Sequence, residues 1–145
     1  MSKIFVGSDS RSLAVEWFAK YTKAVDNDHV VIVQASPDDQ EILNIPILPC
    51  LLVKEGDRVV KNTSPYSIMR FIANAMKFEP IFFGKTESEE LQILSSIEVA
   101  ERSTVEELAA YLNKELTLKM FLVTFHITAA DFIAFSKVVA HVQGL

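Results

Sequence analysis

Ile47-Leu48-Pro49-Cys50-Leu51 sets a proline directly ahead of an apolar strand. Proline removes a backbone donor and fixes φ, so it belongs at the entry of a strand and not within one. The strand that follows, Cys50 to Lys54, is joined through Glu55-Gly56-Asp57 to a second, Arg58 to Lys61, which is a hairpin pattern. Upstream, His29 to Ala35 (HVVIVQA) is almost continuous Val and Ile. That pattern predicts a strand buried on both faces. Earlier still, Lys3 to Val6 is a β-branched and aromatic run ended by Gly7. Between these two strands, Asp9-Ser10-Arg11-Ser12 offers caps for a helix running to about Val25. Leu13, Trp17, Phe18 and Tyr21 recur along it at helical spacing. Strand, helix and strand together predict a parallel pair with a right-handed crossover.

Ser36-Pro37-Asp38-Asp39 opens a short irregular or helical link. After the hairpin, Ser64-Pro65 starts a helix ending near Lys77, with serine as cap and proline at the first helical position. Glu79-Pro80 to Gly84-Lys85 reads as a linker. Beyond it the strand pattern is gone. Thr86-Glu87-Ser88-Glu89-Glu90 makes an acidic first turn, favourable against the helix dipole. Ser103-Thr104-Val105-Glu106 reads as a capping box for a helix to about Leu116. Thr128-Ala129-Ala130-Asp131 caps a last helix, to about Val142. The expected organisation is an α/β lobe over 1–79, a linker over 80–85 and an all-α lobe over 86–145.

Composition narrows the function. The 145 residues are half apolar and carry a net charge of −5, which excludes disorder and opposes direct nucleic-acid binding. One cysteine excludes a disulfide framework within the chain and a Cys-rich zinc site. Ile42 to Val53, the longest charge-free candidate, holds two prolines and is too short to span a bilayer. Met1-Ser2-Lys3-Ile4 lacks the apolar core of a signal peptide, so a cytoplasmic location is expected.

The order of these elements resembles a thioredoxin-like lobe followed by a shortened helical lobe of glutathione-transferase (GST) type. Three stretches carry the likeness. Ile47 to Leu51 is similar to the family's cis-proline segment, with Pro49 as that proline. Ser67-Ile68-Met69-Arg70-Phe71-Ile72 is similar to its helix after the fourth strand. Phe121-Leu122-Val123 with Thr128-Ala129-Ala130-Asp131-Phe132 is similar to the N-capping box of its central C-lobe helix, which gives Thr128 and Asp131 structural roles. Within the superfamily the chain most resembles the GST-like domains of aminoacyl-tRNA synthetases and their scaffold proteins. These include methionyl-tRNA synthetase, the multisynthetase-complex auxiliary proteins and the apicomplexan tRNA import protein. The layout from Ser103 to Val142 resembles theirs.

That resemblance implies a non-catalytic module joining synthetases, the N-terminal part of a longer chain whose tRNA-binding part lies elsewhere and whose parent can be membrane-associated. Implied partners are a second copy and GST-like domains such as those of glutamyl- or methionyl-tRNA synthetase. The alternatives are a small glutathione transferase or thiol reductase, and the GST-like domain of elongation factor 1 gamma. Active transferases hold the γ-glutamyl carboxylate with an acid and a serine before the fourth-strand helix. Here Ser64 and Pro65 stand there, and proline has neither hydroxyl nor N–H. Ser8, Ser10 and Ser12 occupy the loop of the family's thiol-activating residue, but serines are also expected there as caps. Cys50 reads as core. His29, His126 and His141 lack ligand spacing, so neither a metal nor a cofactor is expected.

Two helices, Pro65 to Lys77 and Ala129 to Val142, carry little charge for exposed elements. The helix from Pro65 to Lys77 and the first C-lobe helix are the family's pairing surfaces. The resemblance thus points to Tyr66, Met69, Arg70 and Ala73 with Glu87 and Glu90 as partner-binding residues. Arg70 is expected to meet Glu87, Glu90 or Glu98 across a two-fold axis. A second surface is expected on the last helix near Lys137 and His141. Phe132, Ile133, Phe135, Val138, Val139 and Val142 cover nearly all of that helix, and a partner is expected to bury part of it.

Overall fold

A computed structural model describes residues 2–143. The β-branched run near the start forms β1 (Ser2–Val6), with Ile4 and Val6 fully buried. It pairs in parallel with β2 (Val30–Gln34) and antiparallel with β3 (Cys50–Glu55), which pairs antiparallel with β4 (Arg58–Asn62). The sheet order is β2-β1-β3-β4. The crossover from β1 to β2 is α1 (Ser10–Tyr21). It stops short of Val25 because Lys23 turns the chain at φ 62° and Thr22 bonds back to the Phe18 carbonyl at 2.9 Å. The short link becomes α2 (Pro37–Ile42), which buries none of its residues. The Leu48–Pro49 peptide bond is cis. This is the thioredoxin-like lobe that the sequence implies.

One expectation for this lobe is corrected. β2 is an edge strand, and Val31, Ile32 and Val33 are only partly buried while Gln34 is exposed. A Val/Ile run reports β propensity, which does not separate a central strand from an edge one.

The second half is helical: α3 (Pro65–Ala75), α4 (Glu79–Phe83), α5 (Glu87–Arg102), α6 (Val105–Glu115) and α7 (Ala129–Val142). Thr104, not Ser103, caps α6, and its hydroxyl accepts the Glu107 N–H at 3.2 Å. The stretch read as a linker contains α4, which drives Phe82 and Phe83 into the core. Gly84 follows at φ 111°, and a Cβ there would lie 2.7 Å from the Glu90 nitrogen. Glycine is therefore required at this junction.

α7 packs on α1, α5 and α6. Phe132, Ile133, Ala134, Ser136 and Ala140 are buried by this chain alone. Most of the apolar circumference is thus covered by the molecule's own centre, while Phe135, Val138 and Val139 are only partly buried and Val142 is 78% exposed. Phe18 of α1 joins the lobes, lying edge-to-face with Phe82, Phe83 and Phe132. A smaller cluster of Phe5, Ile45 and Cys50 fills the opposite face of the sheet.

Candidate functional site

Two places in the fold could carry function: the cleft between the lobes and the face shared by α3 and α5. The cleft is a cavity of about 340 Å³. Ser10, Arg11, Pro65, Glu101, Ser136 and Lys137 are among the residues lining it. Its rim is tied off by local bonds. Ser12 accepts the Gly7 N–H at 2.9 Å and donates to the Asp9 carboxylate at 2.6 Å. Arg11 Nη2 donates to the Thr63 carbonyl at 3.0 Å, fixing the start of α1 to the entry of α3. The Ser64 hydroxyl accepts the Ser67 N–H at 3.4 Å as the cap of α3.

Lys137 reaches across the cavity wall from α7 to the end of α5. Its ammonium donates to the Ala100 carbonyl at 2.8 Å, to Glu101 at 3.3 Å, and to Ser103. These carbonyls end a helix and have no partners within it. Lys137 is therefore the side-chain cap of α5 and is not free to meet a partner, which corrects its assignment as a partner-binding residue. His141 is exposed one turn further on. Lys137→Met is expected to lower stability by about 1–2 kcal/mol, since it removes a charge-assisted donor from helix-terminal carbonyls. Thermal unfolding would register this as a lower midpoint.

On the α3–α5 face, Arg70 is the centre. Nε donates to Glu79 at 2.7 Å, and Nη1 donates to Glu90 at 3.1 Å and to the Tyr66 hydroxyl at 2.8 Å. The guanidinium also lies 5.9 Å from the ring centres of Tyr66 and Phe83. The Glu79 carboxylate beside it holds Arg70 charged far above the usual range. Burial raises the Tyr66 phenol, and the Arg70 charge opposes this. The expected contact of Arg70 with Glu90 across a symmetry axis is corrected: the pairing is made within one chain, and it clasps α3 to α4 and α5. Met69 and Ala73 are fully buried, so they face the core and not a partner. Glu87 is exposed. Beside it stand Leu91, 66% exposed, and Leu94, 36% exposed; they line a shallow depression with Glu87 and Glu90. Charge counting passed over these two leucines because α5 is acidic; their helical spacing was the available signal.

No family profile matches the chain, and no curated protein does. Solved structures do match along nearly all of its length. FzlA from C. crescentus is 13% identical at TM-score 0.74, over 97% of this chain and 77% of that one. The GST-like domain of elongation factor 1-gamma from Saccharomyces cerevisiae is 15% identical at TM-score 0.73, over 94% and 75%. Human glutathione transferase theta-2, solved with glutathione, is 15% identical at TM-score 0.71, over 98% and 72%. The fold is glutathione-transferase-like.

In this glutathione-transferase-like fold Ser10 stands on the cleft wall. Of the three serines in the first loop, the Ser12 hydroxyl is engaged by Gly7 and Asp9. Burial pushes the Cys50 thiol up, away from the thiolate a nucleophile needs. Pro65, on the cleft wall, is buried and has no N–H to donate. Among the described residues no cluster of His, Cys, Asp and Glu could hold a metal ion. Thr128 and Asp131 form the capping box of α7. The Asp131 carboxylate accepts the Thr128 N–H at 2.9 Å and the Leu122 N–H at 3.0 Å, wholly buried. Burial raises its carboxyl above the usual range, against those bonds.

Proposed function

We propose that this chain is a non-catalytic GST-like interaction module of the kind that assembles aminoacyl-tRNA synthetases. The observation that carries the reading is the exposed Leu91–Leu94 step on α5, set beside the ordered Arg70–Glu90–Tyr66 cluster. A rigid apolar step flanked by charge suits a pairing surface. The synthetase-scaffold assignment draws on the layout from Ser103 to Val142 and on the fold shared with the elongation factor 1-gamma domain. Its partners would be a second copy or another GST-like domain, such as that of glutamyl- or methionyl-tRNA synthetase. tRNA would be held by a separate basic part, since this chain carries −5. The expected setting is cytoplasmic.

Leu91→Glu combined with Leu94→Glu is expected to weaken association roughly tenfold or more, because each puts a charge into an apolar contact. Analytical ultracentrifugation reads the change. Unaltered association would remove this face from the assignment. A glutathione transferase is the alternative, favoured by the open cleft with Ser10 on its wall. Glutathione conjugation of a chlorinated aromatic at ~1 per second or faster would establish that alternative.

A further inference from the structure

The turn between α6 and α7 holds three large apolar side chains in water. Leu118 is 95% exposed, Met120 81% and Phe125 103%. Its backbone is not loose. Leu122 is buried and its N–H donates to Asp131 at 3.0 Å. The Thr124 hydroxyl donates to the His126 carbonyl at 2.8 Å, and His126 Nε2 sits 2.6 Å from the Ile81 carbonyl oxygen. The inward residues anchor the turn to α7 and α4, and the three others project from it. The cavity nearest the turn, walled by Gln92, Ser95, Tyr111 and Lys119, includes none of the three.

The local charge is opposite to that of the whole. Between 111 and 127, Lys114 and Lys119 outnumber Glu115, in a chain of net charge −5. Lys119 bonds Glu115 at 3.0 Å, an exposed pair of the kind that contributes little. We propose that this turn docks on the surface of an anionic lipid bilayer. Leu118, Met120 and Phe125 enter the interfacial layer, and Lys114 and Lys119 meet the acidic headgroups. A projecting apolar tip without a groove fits a deformable apolar medium, whereas a protein partner would need a matching pocket. Among the described residues no helix is long and apolar enough to cross a membrane, so the contact is peripheral.

Co-sedimentation of the chain with vesicles tests this. One set is phosphatidylcholine alone, the other an equimolar mixture with phosphatidylserine. The wild type is expected to pellet with the mixed vesicles at low salt and less at high salt. Leu118→Ser/Met120→Ser/Phe125→Ser is expected to bind roughly tenfold more weakly or worse. Lys114→Gln/Lys119→Gln is expected to lose the preference for phosphatidylserine. Phe125→Ser alone, at a fully exposed site, serves as the variant that retains the fold. Absence of wild-type binding to either vesicle overturns the proposal. So does serine-variant binding equal to wild type, or a serine variant that loses self-association while still pelleting normally.

Discussion

Phe18→Ala is expected to lower the unfolding free energy by about 3–5 kcal/mol, the range for truncating a fully buried phenylalanine. Phe18 has no exposed surface. Its ring centre lies 5.0 Å from Phe82, 5.2 Å from Phe132 and 6.1 Å from Phe83, each edge-on. Such pairs add about 0.5–1.5 kcal/mol beyond their buried area. The alanine leaves a void whose walls come from both lobes, so neither lobe can close it alone. Tyr21→Ala is the control. Tyr21 touches Phe82 and Phe132 but is 57% exposed, and its removal is expected to cost about 1 kcal/mol. Urea midpoints of the two variants decide the matter. Equal shifts would mean that the lobes do not share one core.

Asp131→Ala is expected to cost about 2–5 kcal/mol. Its carboxylate is the acceptor for the Thr128 and Leu122 N–H groups, and no water reaches the site. Each buried donor left without a partner costs about 1–3 kcal/mol. The pH dependence has a definite sign. Burial raises the folded-state carboxyl above its unfolded value. The proton-linked part of its contribution is therefore complete below the ordinary carboxylate range and is lost as pH rises through the raised value. The stability advantage of wild type over Asp131→Asn is expected to be largest in acid and to narrow towards neutral pH. Chemical denaturation across that window checks it, and a gap that widens with pH would contradict the assigned cause.

The two halves of the fold differ in how plainly their sequence announces them. Short-range rules were enough for the hairpin at Gly56, the proline-led helix at Pro65 and the capping residues Thr128 and Asp131. These features are set by φ preferences and by hydrogen bonds spanning three residues. What failed depends on distance in three dimensions. The apolar circumference of α7 reads identically whether its cover comes from α1 and α5 or from another molecule. Met69 and Ala73 share a helix with Arg70, yet they point inward, and only the packing of α3 on α1 sets that phase. The sequence places Lys137 on a second surface because its acceptors lie over 30 positions earlier, at Ala100 to Ser103. Leu118, Met120 and Phe125 carry no signal in the sequence, since single apolar residues in a turn are ordinary until their exposure is known.

The Arg70 clasp has a bearing on exchange. Its guanidinium is neutralised by Glu79 and Glu90 of the same chain. On the proposed pairing, a protomer leaving a complex through this face would strand no unpaired cation and need no rearrangement to become self-sufficient. Its departure rate would then be governed by the small apolar step at Leu91 and Leu94, and not by the breaking of ion pairs. Under that proposal the surface would suit a subunit that trades one binding mate for another within the lifetime of the folded chain.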